Sequence, residues 1–319
     1  MTSTSHMKAA TISNYGPPEV LAIRDVPIPW PQANKVLVRV HAAAINPKDT
    51  FIRKGRFKRF TGRHFPLMTG FDFSGEVAAV GPGVMDTTVG ESIYGMLDGW
   101  QGGACAEFAA VGTGHFFKKP EGLSFDEAAA LPLVSLTALQ ALCNCGGIGS
   151  GMQVCINGAS GGVGSMAVQI AKIMGAGITA VSSRQNHDFL KGLGADHCID
   201  YRHGDIALGH PFDIFFDVFG NRPFRSVKPI LSHRGVWVST VIQPHVFLSV
   251  VLTRFFSRRK AKLVVVKSVR DDLEQVRRWV AAGLLRPIIH DVFPLEKIRE
   301  AHVQQETKHT RGKIVIHIG

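Results

Sequence analysis

The sequence predicts an α/β protein, with a doubly wound parallel sheet in the C-terminal half and a smaller β-rich domain ahead of it. Three observations predict this. From Gln153 onward, short apolar runs alternate with helical patterns, as expected for sheet strands joined by crossover helices. The stretch before about Gly122 instead holds short strands punctuated by Gly and Pro. A turn of small residues, Gly158-Ala159-Ser160-Gly161-Gly162-Val163-Gly164, joins the apolar run Gln153–Asn157 to a helical pattern.

That turn is informative because of its strand–turn–helix context. Gly161 has no side chain, so the backbone can press against a pyrophosphate, and Gly164 lets the first helical turn pack close to the strand. The helix repeats apolar residues at Val163, Ala167, Ile170, Ala171 and Met174, a stripe suited to packing on a sheet. Its N-terminus points N–H groups and the positive end of the dipole at a phosphate. Read from Ala159 the spacing is A-x-G-x-x-G, an alanine-led dinucleotide fingerprint with Ser160, Gly161, Gly162 and Val163 as contacts. A tight turn in some other α/β protein is the competing reading.

The remaining elements follow in order. Val36–Val40 reads as a strand, as does Ser74–Val80, which ends in the turn Gly81-Pro82-Gly83. A helix opens at Ser124, where Ser124 and Glu127 form a capping box and Asp126 adds negative charge to the first turn. Pro132 interrupts it, and Ser135–Cys143 resumes before Gly146-Gly147. The expected parallel strands are Val154–Asn157, Ile178–Ser182, His197–Asp200, Ile214–Val218, Gly235–Thr240 and Leu263–Val269. A helix Asp271–Ala282 closes at Gly283. Then come Pro287–Val292, a helix near Pro294–Gln304 and a last strand Lys313–Ile318, a tail that either finishes the same sheet or returns to the first domain.

Length and composition bound the function. A chain of 319 residues has room for about two domains. Apolar runs such as Val246–Leu252 fall far short of the roughly 20 residues of a membrane-spanning helix, so no stable membrane insertion is expected. Met1–His6 reads as an appended polar segment with the natural start at Met7, and no signal peptide is visible. Five cysteines without a C-x-x-C pair point to free thiols and a cytoplasmic location. The net charge of +11 gathers in Arg53-Lys54-Gly55-Arg56-Phe57-Lys58-Arg59, extending to Arg63-His64, and in Arg254 through Lys262. Such clusters with interleaved Phe suit a nucleic acid or an anionic membrane. No nucleic-acid module accompanies them, so they read as solvated loops or as anion attraction near a phosphate-bearing ligand.

Cofactor choice is legible at the end of the second expected strand. An NAD enzyme usually places an acid there for the ribose 2′-hydroxyl. This strand ends Val181-Ser182-Ser183-Arg184, where hydroxyls and a forked guanidinium suit a 2′-phosphate instead. NADPH is therefore the expected cofactor; plain solvent-exposed loop residues are the competing reading.

Taken together, Ala44-Ile45-Asn46-Pro47-Lys48-Asp49, Gly70-Phe71-Asp72-Phe73-Ser74-Gly75, Leu131-Pro132-Leu133-Val134-Ser135-Leu136-Thr137-Ala138, the glycine turn and Arg311-Gly312-Lys313 carry a resemblance. The chain resembles the medium-chain dehydrogenase/reductase superfamily over nearly its whole length, above all its zinc-free quinone oxidoreductase-like branch. The resemblance implies a chaperonin-10-like catalytic domain (residues 1–128 and 285–319) and a Rossmann domain (129–284), with a cleft between them. It also implies a homodimer joined through the edge strand, here Leu263–Val269. Alcohol dehydrogenases of this superfamily hold zinc with a Cys and a Gly-His-Glu motif, where this chain has Asn46 and Phe71-Asp72. Their structural zinc lobe of four Cys is absent, so no zinc is expected. Without a Lewis acid the acceptor must already be polarised, as in a quinone or an α,β-unsaturated carbonyl.

The resemblance also places residues. Asn46 and Lys48 are the candidate donors to a developing enolate. Asn46 is equally suited to bond the nicotinamide ribose or to cap the turn before Pro47, and Asp49 is a structural hydrogen-bonding residue or an acid. Thr137 falls near the nicotinamide phosphate, or is merely packed. Tyr201 matches a second phosphate contact. Phe219-Gly220 and Val238–Ile242, with Thr240, Val241 and Ile242, follow the fourth and fifth strands, where ligands collect. Arg311 and Lys313 approach the cofactor from the tail, or are solvated. The segment Gln243–Lys262 reads as an amphipathic helix that greets an apolar or phosphate-tagged substrate, or as a packing or dimer-contact helix. The expected activity is NADPH-dependent reduction of quinones or activated alkenes; the alternative is a non-catalytic NADPH-binding regulatory or interaction protein on the same fold.

Overall fold

The computed structural model describes residues 5–202, 206 and 210–319. Of the segment Met1–His6 only Ser5 and His6 fall among them, and His6 begins a strand, His6–Ile12, paired with Leu21–Pro27. The chain divides into two compact units, residues up to Leu133 together with Ser268–Gly319, and Val134–Lys267.

Residues 134–267 form a six-stranded, all-parallel sheet. Its order is His197–Asp200, Gly177–Ser182, Gln153–Asn157, Phe212–Asp217, Leu231–Ser239, Lys260–Leu263. Consecutive residues Val154, Cys155 and Ile156 are all buried, as are Phe215 and Phe216, so both faces of the sheet are covered. Strand order reverses between Gln153–Asn157 and Phe212–Asp217, the switch point outside whose carboxyl ends ligands bind in such sheets. The helix Gly162–Ile173 starts directly at the glycine turn and is buried from Gly164 to Ala171. Val163 and Met174 are only half-buried, so the expected stripe is broader in its middle and weaker at its ends.

The last strand of this sheet is Lys260–Leu263, not Leu263–Val269. It pairs with Val236–Ser239, and one further bond runs from Val264 N to Ser239 O. Because Leu231–Ser239 stops there, the more apolar run after Leu263 has no ladder to join, and Val265 is exposed. Lys260 and Lys262 instead charge the edge, a common protection against edge-to-edge pairing. The expected amphipathic segment is a helix over Pro244–Phe256.

The other unit is built mainly on antiparallel strands, with a parallel pair, Ile289–Pro294 and Lys313–His317. Its larger sheet runs Ile289–Pro294, Lys313–His317, Lys35–Ile45, Asp72–Val80, Ser92–Met96, Phe116–Lys118, and Phe108–Gly112 also pairs with Lys35–Ile45. The tail strand Lys313–His317 lies antiparallel to Lys35–Ile45, with Val315 opposite Ala44. Inward residues of these strands, among them Val38, Val40, Phe73, Ile93, Ile314 and Ile316, form one core. The helix Arg270–Ala281 belongs to this unit, although residues up to 284 were expected in the nucleotide domain.

The predicted cap at Ser124 is formed: Glu127 N donates to Ser124 Oγ at 3.2 Å and Ser124 N donates to Glu127 Oε2 at 2.8 Å. The helical stretch that follows, 125–146, is long and apolar enough to cross a membrane, but it is buried inside the protein from Ala128 to Leu142. It is a core helix.

Candidate active site

The singled-out residues gather in two polar clusters, one in each unit. The first surrounds the N-terminus of the helix Pro47–Arg53. Asp49, 2% exposed, accepts from Asn46 N at 2.8 Å and from Gly70 N at 3.0 Å. It thereby ties the helix start to a left-handed turn at Gly70 (φ 88°), where a Cβ would stand 2.5 Å from Cys105 N. Burial pushes the Asp49 carboxyl up to about 6, and the two N–H donors oppose that shift. Of its two expected roles, this geometry is the structural one.

Asn46 is likewise consumed. Its Nδ2 donates to Ala44 O at 3.3 Å and to Asp72 Oδ2 at 3.0 Å, and its Oδ1 accepts from Lys313 Nζ. Both amide protons are therefore engaged, so Asn46 has none for an enolate or a ribose. Lys313 Nζ also donates to Ile45 O at 2.9 Å and to Asp72 Oδ2 at 3.0 Å. Three protein acceptors exhaust an ammonium, and Lys313 is 4% exposed. The expected cofactor contact through Lys313 is corrected to a buried ion pair. Asp72 completes the group by accepting from Leu133 N at 2.8 Å through Oδ1.

Lys48 is the member that stays available. Its Nζ lies 3.7 Å from the centroid of Phe71 and donates to Gly99 O at 2.6 Å. Trp100 is 5.5 Å away. Burial lowers the Lys48 pKa against the pull of Asp49, Asp98 and Asp72. One engaged proton leaves two on the ammonium.

Nearby, the basic run divides. Arg53 is fully buried, ion-paired with Glu306, and donates to Gly16 O at 2.8 Å, so it is no solvated loop residue. Lys54 Nζ meets the other Glu306 oxygen at 2.6 Å. Phe57 and Phe60 pack on Trp100 with centroids 4.7 and 4.9 Å away.

The second cluster lies at the carboxyl edge of the parallel sheet. A Cβ at Gly164 would meet Gly158 O at 2.2 Å, so the helix can approach its strand only with glycine there. At Gly161 the nearest atom to a Cβ is 3.7 Å away, leaving the backbone open to a ligand. These are the two distinct glycine roles a pyrophosphate cradle needs, and the residues fit a dinucleotide. Beside the cradle, Ser182 Oγ donates to Ser160 Oγ at 2.7 Å, and Asn186 Nδ2 reaches the hydroxyls of Ser160, Ser182 and Ser183 at 3.1 to 3.3 Å. Asn186 lies beyond the fingerprint and no motif announced it. Arg184 and Tyr201 are exposed at the same edge. The carboxylate of Asp200 accepts from the backbone N–H of Arg184 and of Arg202.

Beyond the fourth strand, Asp217 accepts from Asn157 Nδ2, Gly220 N and Arg222 N and so shapes the loop carrying Phe219 and Gly220. Burial raises its pKa, opposed by these donors. Thr240 Oγ1 donates to Val218 O at 3.0 Å, joining that loop to Thr240-Val241-Ile242. Thr137 is buried in the helix Pro132–Leu139, and Arg311 is exposed.

Residues 32–124 match the family described as Alcohol dehydrogenase GroES-like domain, and residues 193–316 match Zinc-binding dehydrogenase. The mitochondrial NAD(P)H oxidoreductase RTN4IP1 of Bos taurus is 32% identical, over 98% of this chain and 89% of that protein. The chain belongs to the medium-chain dehydrogenase/reductase superfamily, quinone oxidoreductase-like. The 2-methylene-furan-3-one reductase of Solanum lycopersicum is 35% identical over 98% of this chain and 79% of that protein. The quinone oxidoreductase structure from Coxiella burnetii superposes with a TM-score of 0.92 at 33% identity, covering 99% of this chain and all of that one. This dehydrogenase/reductase is accordingly a GroES-like domain with a Rossmann-like domain, and an oxidoreductase that uses a nicotinamide cofactor on small molecules.

Zinc figures in the name of one matched family, but the residues here do not fit the ion. Phe71 has no donor atom, and the cation beside Asn46 and Asp72 is the ammonium of Lys313. Among the described residues no group of three or more His, Cys, Asp or Glu side chains is placed to hold a metal.

Proposed function

We propose that the protein is an NADPH-dependent, zinc-independent reductase of quinones or α,β-unsaturated carbonyls. The observation that carries this reading is the edge beyond Ser182. Three linked hydroxyls, an exposed Arg184 and Tyr201 surround it, and the carboxylate of Asp200 accepts from the backbone N–H groups of Arg184 and Arg202. A 2′-phosphate gains charge-assisted bonds from such a set, whereas a bare ribose wants the acid this strand end lacks. The names of the tomato and Coxiella relatives support the acceptor class.

Bound NADPH supplies a hydride at its nicotinamide. The chain's own residues do the rest. Gly161 and the N-terminus of the helix Gly162–Ile173 seat the diphosphate, Asn186 holds Ser160, Ser182 and Ser183 in register, and Arg184 and Tyr201 take the 2′-phosphate. Lys48 holds a proton at Nζ over the ring of Phe71, where a carbonyl or quinone oxygen can accept it. Asn46, Asp49, Asp72 and Lys313 keep the helix that carries Lys48 in place. The free thiols of all five cysteines support a reducing compartment, and we place the enzyme in the cytoplasm.

The test is kcat/KM for NADPH and NADH against a panel of quinones and enones, each with and without chelator. NADPH should win and chelation should change nothing. A preference for NADH, or loss of turnover with chelator, overturns the reading. NADPH binding without oxidation by any acceptor favours the non-catalytic alternative. Lys48→Met should lower kcat on the order of a hundredfold with little change in KM.

A further inference from the structure

One stretch of the sequence is basic with no acidic residue to offset it. Residues 218–270 hold eleven Lys and Arg and no Asp or Glu, while the rest of the chain holds 25 of each sign. This stretch therefore accounts for the whole +11. At its centre lies the helix Pro244–Phe256, which buries only Val246 and Thr253. Phe247, Leu248, Val251, Leu252, Phe255 and Phe256 are all exposed, from 42% at Val251 to 84% at Phe256. Their spacing of i, i+1, i+4, i+5, i+8 and i+9 makes one continuous apolar stripe. Ile242, Gln243 and Pro244 extend it into an open groove of about 640 Å³.

The C-terminal end of the stripe is ringed by cations. Arg254 is exposed, Arg258 bonds the His233 ring at 2.6 Å, Arg259 donates to Ser232 O and Lys260 to Thr253 O. None of these partners is a carboxylate. Six apolar side chains left in water cost free energy, and among the described residues no ion pair joins these cations to a carboxylate, so the face suits an occupant that is apolar and anionic together.

We propose that this face docks on an anionic lipid bilayer. The stripe enters the boundary between headgroups and acyl chains, and Arg254, Arg258, Arg259 and Lys260 meet lipid phosphate and carboxylate. The helix is about 20 Å long, too short to span, so it lies in the interface. A second copy of this chain is the rival occupant. A symmetric contact would set the same acid-free stretch against itself, with like charges facing and no carboxylate to pair them. The bilayer supplies the missing charge.

The full-length protein should co-sediment with vesicles containing phosphatidylserine, weakly with phosphatidylcholine alone, and should be released by salt. The double variant Phe255→Ser/Phe256→Ser and, separately, the triple variant Arg254→Gln/Arg258→Gln/Arg259→Gln should each lower the partition coefficient by about tenfold or more. Both should melt close to the wild type, since Arg254, Phe255, Phe256 and Arg258 are exposed and Arg259 is half-buried. Equal or no binding to the two vesicle types, or binding untouched in both variants, overturns the proposal. So does a dimer in free solution that the Phe255/Phe256 variant converts to monomer, which gives the face to a second copy. Sedimentation reads binding and not turnover, so the outcome is independent of the catalytic reading.

Discussion

In the GroES-like unit, the polar residues of the resembling motifs turn inward and satisfy one another. In the Rossmann-like unit, the corresponding residues collect at a sheet edge that faces outward. Asn46, Asp72 and Lys313 share six hydrogen bonds to protein atoms, and their protons are used up. Arg184 and Tyr201 are exposed there and Ser160 is half-buried, with Ser183 and Asn186 buried behind them. The difference separates residues that build a site from residues that bind. A motif residue whose donors are exhausted by its neighbours acts on the fold, and Lys48, with protons left over, is the exception that the proposed mechanism uses.

That contrast can be broken by experiment. Lys313→Met would leave the Asp72 carboxylate buried and unpaired, and should cost about 3–5 kcal/mol in denaturant unfolding. Adding Asp72→Asn should recover part of the loss by removing the charge. Neither effect is expected if Lys313 serves only the cofactor. At the other cluster the signs reverse: Arg184→Ala should leave the melting temperature alone and weaken NADPH by about 1.5–3 kcal/mol, with NADH unchanged, as titration calorimetry would show.

The two glycines sharpen the same distinction within one turn. Gly164→Ala drives a Cβ into Gly158 O and should cost about 1–3 kcal/mol of stability. Gly161→Ala meets no atom closer than 3.7 Å and should melt normally while losing nucleotide affinity. If both variants lose stability alike, the open face at Gly161 is not a cradle.

The smallest effect tests an exception in the inward-turned unit. His302 is buried beside Arg53 with both ring nitrogens unpartnered. Burial first, and Arg53 second, lower its pKa to about 3. A folded-state value below the unfolded 6.5 means stability is present above pH 6.5 and is lost as the pH falls toward 3. About 1 kcal/mol should go between pH 7 and pH 5.5, and His302→Leu should flatten that slope in thermal melts. Comparing variant with wild type separates it from Asp49. That carboxyl, raised to about 6, gives stability that is lost as the pH rises from about 4 to about 6.

The nucleotide edge was legible because its chemistry is local. The glycine turn, its strand and its helix lie within about 20 residues, and each glycine answers to a backbone constraint its neighbours impose. The lack of an acid beside Arg184 was legible for the same reason, at the end of an apolar strand. Lys313 was not, since its partners Asn46 and Asp72 lie 267 and 241 residues away and only strand pairing brings them together. Asn186 escaped notice because an Asn in a short turn has many uses until three serines surround it.

By itself the sequence determined the strand–turn–helix units, the cap at Ser124 and the absence of an acid at Arg184, all set by local geometry and side-chain chemistry. Tertiary structure alone decided that the edge strand is Lys260–Leu263, because a strand ends where its partner Leu231–Ser239 ends. It likewise decided that Lys313 fills the place of a cation and that the helix Pro244–Phe256 shows its apolar face to the outside. Periodicity reveals that a helix has two faces; only the packed neighbours determine which one is covered.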